Sequence, residues 1–373
     1  MHMAFDAESS EVQNGKSCET QDGGQDVWMA KAGDESLENK ARDHLIIMVN
    51  GIYGSADNWR FAADQLVKAF SDKVIVHRSE CNVSKLTFDG VDVMGERLAV
   101  EVEMVIKRNL GVKKISFIAH SVGGLVARYA IGRLYEPPSG GKITLEHTGE
   151  LTNRNLFAYD KEQSSGKIAG LEPVNFITVA TPHLGSKGRK QVPFLFGVQL
   201  LEKVACLGAH LVIGRTGRHL FLTDNDEGKL PLLRRMVNDC DDLYFMSGLR
   251  AFKHRIVYSN VVYDQMVGWR TASIRRESEL PELQDPLDER YAHIVNVQNE
   301  NYDSHKPSAS SSNEHAIDPE EEEMIAGLTQ VPWKRVDVSL QKFAAHNTIQ
   351  VQSIWMHSAG ADVIHHMIDN LCV

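Results

Sequence analysis

The stretch Ile115-Ser116-Phe117-Ile118-Ala119-His120-Ser121-Val122-Gly123-Gly124-Leu125-Val126-Ala127-Arg128-Tyr129-Ala130 decides the fold. Its first five residues read as a buried strand, and Leu125, Val126, Tyr129 and Ala130 then recur at helical spacing. A serine on the sharp turn between strand and helix has its hydroxyl pushed up above the sheet edge. Such a turn strains the serine backbone and crowds its neighbours, so tiny residues are needed two before and two after it. Ala119 and Gly123 meet that limit. A small-x-Ser-x-Gly string alone is more often structural than chemical. The reading of Ser121 as a nucleophile therefore depends on partners elsewhere in the chain.

Working outward, Leu45–Val49 is a buried strand, followed by the turn Asn50-Gly51-Ile52-Tyr53-Gly54-Ser55. A helix is predicted over Asp57–Phe70, a strand over Lys73–His77, and an amphipathic helix carrying Met94, Leu98, Val102 and Val105. Later strands are Asn175–Val179, Arg255–Tyr258 and Val336–Leu340, and a helix pattern runs from Asp362 to Leu371. Strands alternating with helices predict an α/β architecture, a mainly parallel central sheet covered by helices on both faces. Two insertions interrupt it. Residues 136–172 are polar and Gly-rich. Residues 187–245 are unusually apolar, notably Pro193–Val198, and read as a cap over the strand ends, where α/β ligands bind, ahead of an extra core layer.

The 373 residues are 42% hydrophobic, enough for one large domain, and the net charge is −10. Residues 1–43 carry −6 and residues 298–326 carry −7, leaving about +3 on the remainder. Both acidic segments are poor in large apolar residues. They predict a disordered N-terminal segment over 1–43 and a disordered loop over 298–330, within a domain over 44–373. No stretch reads as a membrane span, secretory signal or Arg-rich transit peptide. Five scattered cysteines without a C-x-x-C pair fit reduced thiols in a cytoplasmic protein. No basic stripe with interleaved aromatics points to nucleic acid.

Acyl transfer needs a nucleophile, a base, a group that orients the base, and donors for the oxyanion. In an elbow of this kind the chain order is serine, acid, histidine. Asp264 suits the acid, in the loop Asn260–Val267 after a strand; Asp224 and Asp226 lie in the apolar insertion and fit less well. Of sixteen histidines, His346 sits just beyond the last strand and is the first choice of base, with His366 as the alternative. His120 adjoins Ser121 and should point away from it, and His183 precedes the acid. His365 and His366 diverge on a helix without ligand partners, so neither a metal nor a cofactor is expected. The backbone N–H groups of Val122 and Ile52 are the candidate oxyanion donors, each typically worth about 3 kcal/mol in the transition state.

Beyond the elbow, the strings Val74–Asn82, Gly90–Leu98, Ala180-Thr181-Pro182-His183-Leu184-Gly185 and Ala345-His346-Asn347 resemble the plant and fungal serine esterases of the lipase-like α/β-hydrolase superfamily. The likeness covers roughly residues 26–300 and 331–373. It implies an α/β-hydrolase fold and hydrolysis of lipid acyl esters, with Ser121 as nucleophile and Asp264 and His346 as its partners. The departure is Asn50, where the group usually has His.

Two other readings share the residues. A hydrolase-fold protein could hold a small apolar ligand without turnover, and an acyltransferase or thioesterase would use the same three groups. The expected partners are a lipid or small acyl ester and, for the slightly basic body, peripheral contact with a lipid surface.

Overall fold

The strand His44–Val49 (β2) is buried along its whole length, and so, except for Lys114, is Lys114–His120 (β4). In the computed structural model both strands are at the middle of an eight-stranded sheet. The structure describes residues 27–28, 42–138, 166–187, 213–225, 228–282, 285–286, 288–299, 318–340 and 344–373. The other strands are Val27–Trp28 (β1), Val74–Arg78 (β3), Tyr135–Glu136 (β5), Lys167–Ile168 (β6), Glu172–Val179 (β7), His254–Asn260 (β8), Ile294–Asn299 (β9) and Lys334–Val338 (β10). The order across the sheet is β1-β3-β2-β4-β7-β8-β10-β9, with β5 and β6 forming a separate pair. Only the edge strands β1 and β9 run antiparallel to their neighbours in the large sheet.

Strand alternation divides the core in two. Leu45, Ile47, Val49, Ile115, Phe117 and Ala119 face a cluster built with helices Val91–Arg108 (α2) and Gly123–Leu134 (α3). Ile46, Met48 and Ile118 face the other, built with Arg60–Ala69 (α1) and the C-terminal helix Ala361–Asp369. Each of these side chains larger than alanine contributes about 1.5–3 kcal/mol by leaving water. Apolar faces on both sides therefore fix β2 and β4 as central strands. The chain leaves β2 toward β3 on one side, then returns to β4 on the other. The turns after β2 and β4 meet at the carboxyl ends of the strands, the edge where α/β ligands bind.

Two expectations from the sequence need correction. Residues 298–330 are not one disordered loop. Gln298 and Asn299 end β9, and Pro319–Leu328 is a helix, with residues 300–317 outside the described part. Asp318 caps that helix by accepting the Glu320 N–H, and Met324, Ile325 and Leu328 are buried. Its acidic run meets cations from the slightly basic body. Arg234 reaches Glu320 at 3.1 Å and Glu323 at 3.0 Å, Arg276 reaches Glu322 at 2.9 Å, and Arg270 and Lys187 pair with Glu321 and Glu320. Carboxylates in a first helical turn are also favoured by the helix dipole. Composition alone saw charge without its partners.

The second correction concerns residues 1–43, where Val27 and Trp28 pair with His77 and Val76 and extend the sheet. The expected cap over 187–245 is described only in part: Leu220, Phe221, Leu222, Leu232, Leu233, Met236 and Val237 join the α2–α3 core. Residues 188–212, including Pro193–Val198, and residues 139–165 of the other insertion lie outside the described residues.

Candidate active site

Ser121 follows β4 directly and has φ 54°, the left-handed region a non-glycine residue enters only when its surroundings force it. Three contacts hold it there. Its N–H donates to the Val179 carbonyl at 2.9 Å, and its carbonyl accepts from Thr181 Oγ1 at 2.8 Å. The third is the packing of α3 against the loop after β2. A Cβ on Gly123 would lie 2.5 Å from the Asn50 carbonyl oxygen, so no larger residue fits at that position. Ala119 is fully buried in the core below.

The structure brings Ser121, His346 and Asp264 together. His346, on the short helix Ala345–Thr348 after β10, has Nε2 3.0 Å from Ser121 Oγ and Nδ1 3.0 Å from Asp264 Oδ2. With Nδ1–H donating to the carboxylate, Nε2 is left to accept the serine proton. Asp264, in the loop after β8, takes four donors. Oδ2 accepts from His346 and from Asn260 Nδ2 at 2.8 Å, and Oδ1 accepts from the N–H groups of Met266 and Val267 at 3.0 and 2.9 Å. Burial pushes this carboxyl's pKa up, but the imidazole, the Asn260 amide and the Val267 N–H outweigh it and hold it below the usual carboxylate value. The group therefore stays ionised beside the imidazole.

The other candidates lie elsewhere. His366, the alternative base, is buried in the C-terminal helix with Nδ1 2.9 Å from the Tyr258 hydroxyl, on the α1 side of the sheet. That bond turns its ring into the core, and the imidazole beside Ser121 Oγ is His346 instead, which corrects that assignment. His183 is fully buried against Thr178 Oγ1 at 2.9 Å. Asp224 accepts the Leu232 N–H at 2.8 Å, and Asp226 lies outside the described residues.

Opposite the serine, the turn after β2 comes close. A Cβ on Gly51 would lie 2.7 Å from Ser121 Cβ. Tyr53 N–H is engaged by Thr87 Oγ1 at 2.9 Å, and Gly54 N–H by the Gly51 carbonyl at 3.1 Å. Among the described residues, neither Ile52 nor Val122 donates its N–H to a protein acceptor. Val122 also stands at the start of the twelve-residue helix α3, where the helix dipole favours negative charge.

Asn50 shapes that turn. Its buried Nδ2 donates to the Gly51 carbonyl at 3.1 Å and to the Asn82 carbonyl at 2.9 Å. Asn82 is tied in turn to the Met94 carbonyl at 2.9 Å, and Glu101 accepts from Ser79 Oγ and, at 2.8 Å, from Glu80 N–H. The strings Val74–Asn82 and Gly90–Leu98 thus supply a buried scaffold for the loop. Removing this buried donor takes a partner from the Asn82 carbonyl, at about 1–3 kcal/mol, while the Gly51 carbonyl keeps the Gly54 N–H. Asn50→Ala is expected to destabilise the fold by about 1–3 kcal/mol, read from the midpoint of denaturant unfolding, and an unchanged midpoint would contradict this role for Asn50.

Sequence reasoning overlooked Asn260, Thr181 and Asn82, and it gave His120 no contact with the site. Only the placement of Asn260 four residues before Asp264 offered a signal.

A model of the family described as "Putative serine esterase (DUF676)" matches residues 39–275. The chain is 28% identical over 250 residues to "Putative lipase ROG1" of Saccharomyces cerevisiae, covering 62% of this chain and 29% of that one. It is 24% identical over 245 residues to "Putative lipase C4A8.10" of Schizosaccharomyces pombe, covering 63% and 26%. It thus spans about a third or less of the length of the curated relatives it matches. Among solved structures it resembles an alpha/beta hydrolase fold protein from Nakamurella multipartita, at 12% identity and a TM-score of 0.35, over 93% of this chain and 94% of that one. The elbow, the strand order and a family match that spans most of the described sheet agree: the chain is an α/β-hydrolase and belongs to the serine esterase family DUF676.

Proposed function

We propose that this protein hydrolyses carboxylic esters, with Ser121 as nucleophile, His346 as general base and then acid, and Asp264 holding the imidazole. The reading is carried by the relay of two 3.0 Å contacts from Ser121 Oγ through His346 to Asp264 Oδ2. Ser121 Oγ attacks the ester carbonyl carbon while its proton passes to His346 Nε2. The developing oxyanion accepts from Ile52 and Val122 N–H. The carbon–oxygen bond to the alcohol breaks, and the imidazolium returns its proton to the leaving oxygen. Water, deprotonated by the same imidazole, then releases the acid and frees Ser121. Water is the only co-reactant this scheme needs.

A lipid acyl ester is the proposed substrate class, met at a lipid surface. Exposed apolar side chains occur on the connections that follow the same strand ends as the site: Tyr53 after β2, Leu86 on a helical turn after β3, Tyr263 and Met266 after β8, and Ile354-Trp355-Met356 on a short helix after β10. Trp355 is 94% exposed, an unusual position for a large aromatic ring. Among the described residues no helix is long and apolar enough to cross a membrane, so contact is proposed as peripheral. Wild type should turn over both short- and long-chain esters. Trp355→Ser should bind phosphatidylcholine vesicles at least threefold more weakly while hydrolysing a soluble short-chain ester at the wild-type rate. Equal vesicle binding by the two proteins would remove the lipid-surface part of the proposal. Acyl transfer to added alcohols in preference to water would shift the activity to an acyltransferase.

A further inference from the structure

The scheme above assigns nothing to His120, which adjoins the nucleophile and contacts both the base and the turn after β2. It ends β4, one residue before the nucleophile. Its Nε2 lies 2.7 Å from the backbone carbonyl of His346, 226 residues away in sequence. A carbonyl can only accept, so Nε2 carries the proton and donates it. The two imidazole rings are 4.6 Å apart, centre to centre, and tilted by 51°. On its other side, His120 Nδ1 lies 3.2 Å from where a Cβ on Gly51 would stand, against the turn that carries Ile52. Trp59 closes the remaining wall edge-on at 6.5 Å.

We infer that His120 is a positioning residue: a neutral imidazole strut whose Nε2–H holds the His346 backbone, and so sets the reach of the base to Ser121. The inference rests on the proposed esterase reading and deepens it. The short helix Ala345–Thr348 packs on the α1-side core through the buried Ala345, but that apolar contact sets no direction for the base. The bond from His120 links the base directly to the strand that carries the nucleophile, so the two catalytic groups share one rigid frame. Neutrality matters as well. Burial, and then the neighbouring His346, push the pKa of His120 down to about 3. A second positive charge beside His346 would oppose the imidazolium that forms during attack. The strut supplies a donor without that charge.

Three variants separate the donor from the ring. His120→Phe keeps an aromatic of similar size without a donor. His120→Gln keeps a donor at a similar reach. His120→Asn carries an amide too short to reach the carbonyl, and stands in if the Phe variant fails to fold. On a soluble ester, His120→Phe and His120→Asn should lose about 30-fold in kcat with KM within twofold, as expected when a base is displaced by a fraction of an ångström. His120→Gln should recover to within about threefold of wild type. In wild type, long-range proton–nitrogen NMR should show His120 as the neutral Nε2–H tautomer. A Gln variant as impaired as the Phe variant, a Phe variant at wild-type kcat, or an Nδ1–H tautomer would each overturn the strut. Wild type that neither turns over esters nor reacts with a fluorophosphonate would instead overturn the esterase reading, with the tautomer still deciding whether the contact exists.

Discussion

His346→Ala is expected to lower kcat on a soluble ester by about 10⁴- to 10⁶-fold, with KM nearly unchanged, and Ser121→Ala to do the same. The reason is that neither group works without the other. The serine hydroxyl is a poor nucleophile until a base takes its proton, and Nε2 of His346 lies 3.0 Å from that oxygen. Groups that act as a unit are not additive, so the double variant should be no slower than either single one. What remains is the rate given by oriented N–H donors and substrate binding alone. Initial-rate kinetics on the three variants decide the matter. Losses that multiply in the double variant, or a His346→Ala enzyme within tenfold of wild type, would mean that another group serves as base.

Asp264→Asn should cost about 10⁴-fold in kcat, although the side chain keeps its shape. Two backbone N–H groups face Oδ1, so the amide oxygen must remain there. The amide nitrogen is then forced into the Oδ2 position, facing His346 Nδ1. It donates to Nδ1, moves the imidazole proton to Nε2, and leaves no acceptor for the serine proton. The sign of the stability effect also follows. The folded-state pKa of Asp264 is depressed below its ordinary 3.8, so its ionisation stabilises the fold above that value. That contribution is lost as pH falls through the depressed value, and the Asn variant lacks it. Denaturation followed below pH 4 should therefore show a shallower acid dependence for Asp264→Asn than for wild type. A variant that retains more than a tenth of wild-type kcat would contradict the proposed role of the carboxylate.

The central fold was legible because its signals are local. The short apolar runs Leu45–Val49 and Ile115–Ala119, the second broken by Ser116 alone, have the length of strands covered on both faces, and a serine between such a run and a helix pattern marks the elbow. The positions of Asp264 and His346 were readable because each follows a strand and the chain order restricts the choice. What stayed hidden depends on distant encounters. Glu320–Glu323 looked like a solvated acidic tract, since nothing local reveals that Arg234, Arg270, Arg276 and Lys187 converge on it. The short edge strand Val27–Trp28 has too few residues for a periodicity. His120 read as a residue pointing away from Ser121; its contact lies at the far end of the chain, on the backbone of a residue whose own side chain had drawn attention.

Treatment with a fluorophosphonate followed by peptide mass spectrometry tests the covalent step most directly. One adduct is predicted, on the peptide containing Ser121, formed slowly in His346→Ala and never in Ser121→Ala. An adduct on any other residue, or labelling undiminished in Ser121→Ala, would contradict a mechanism built on this serine.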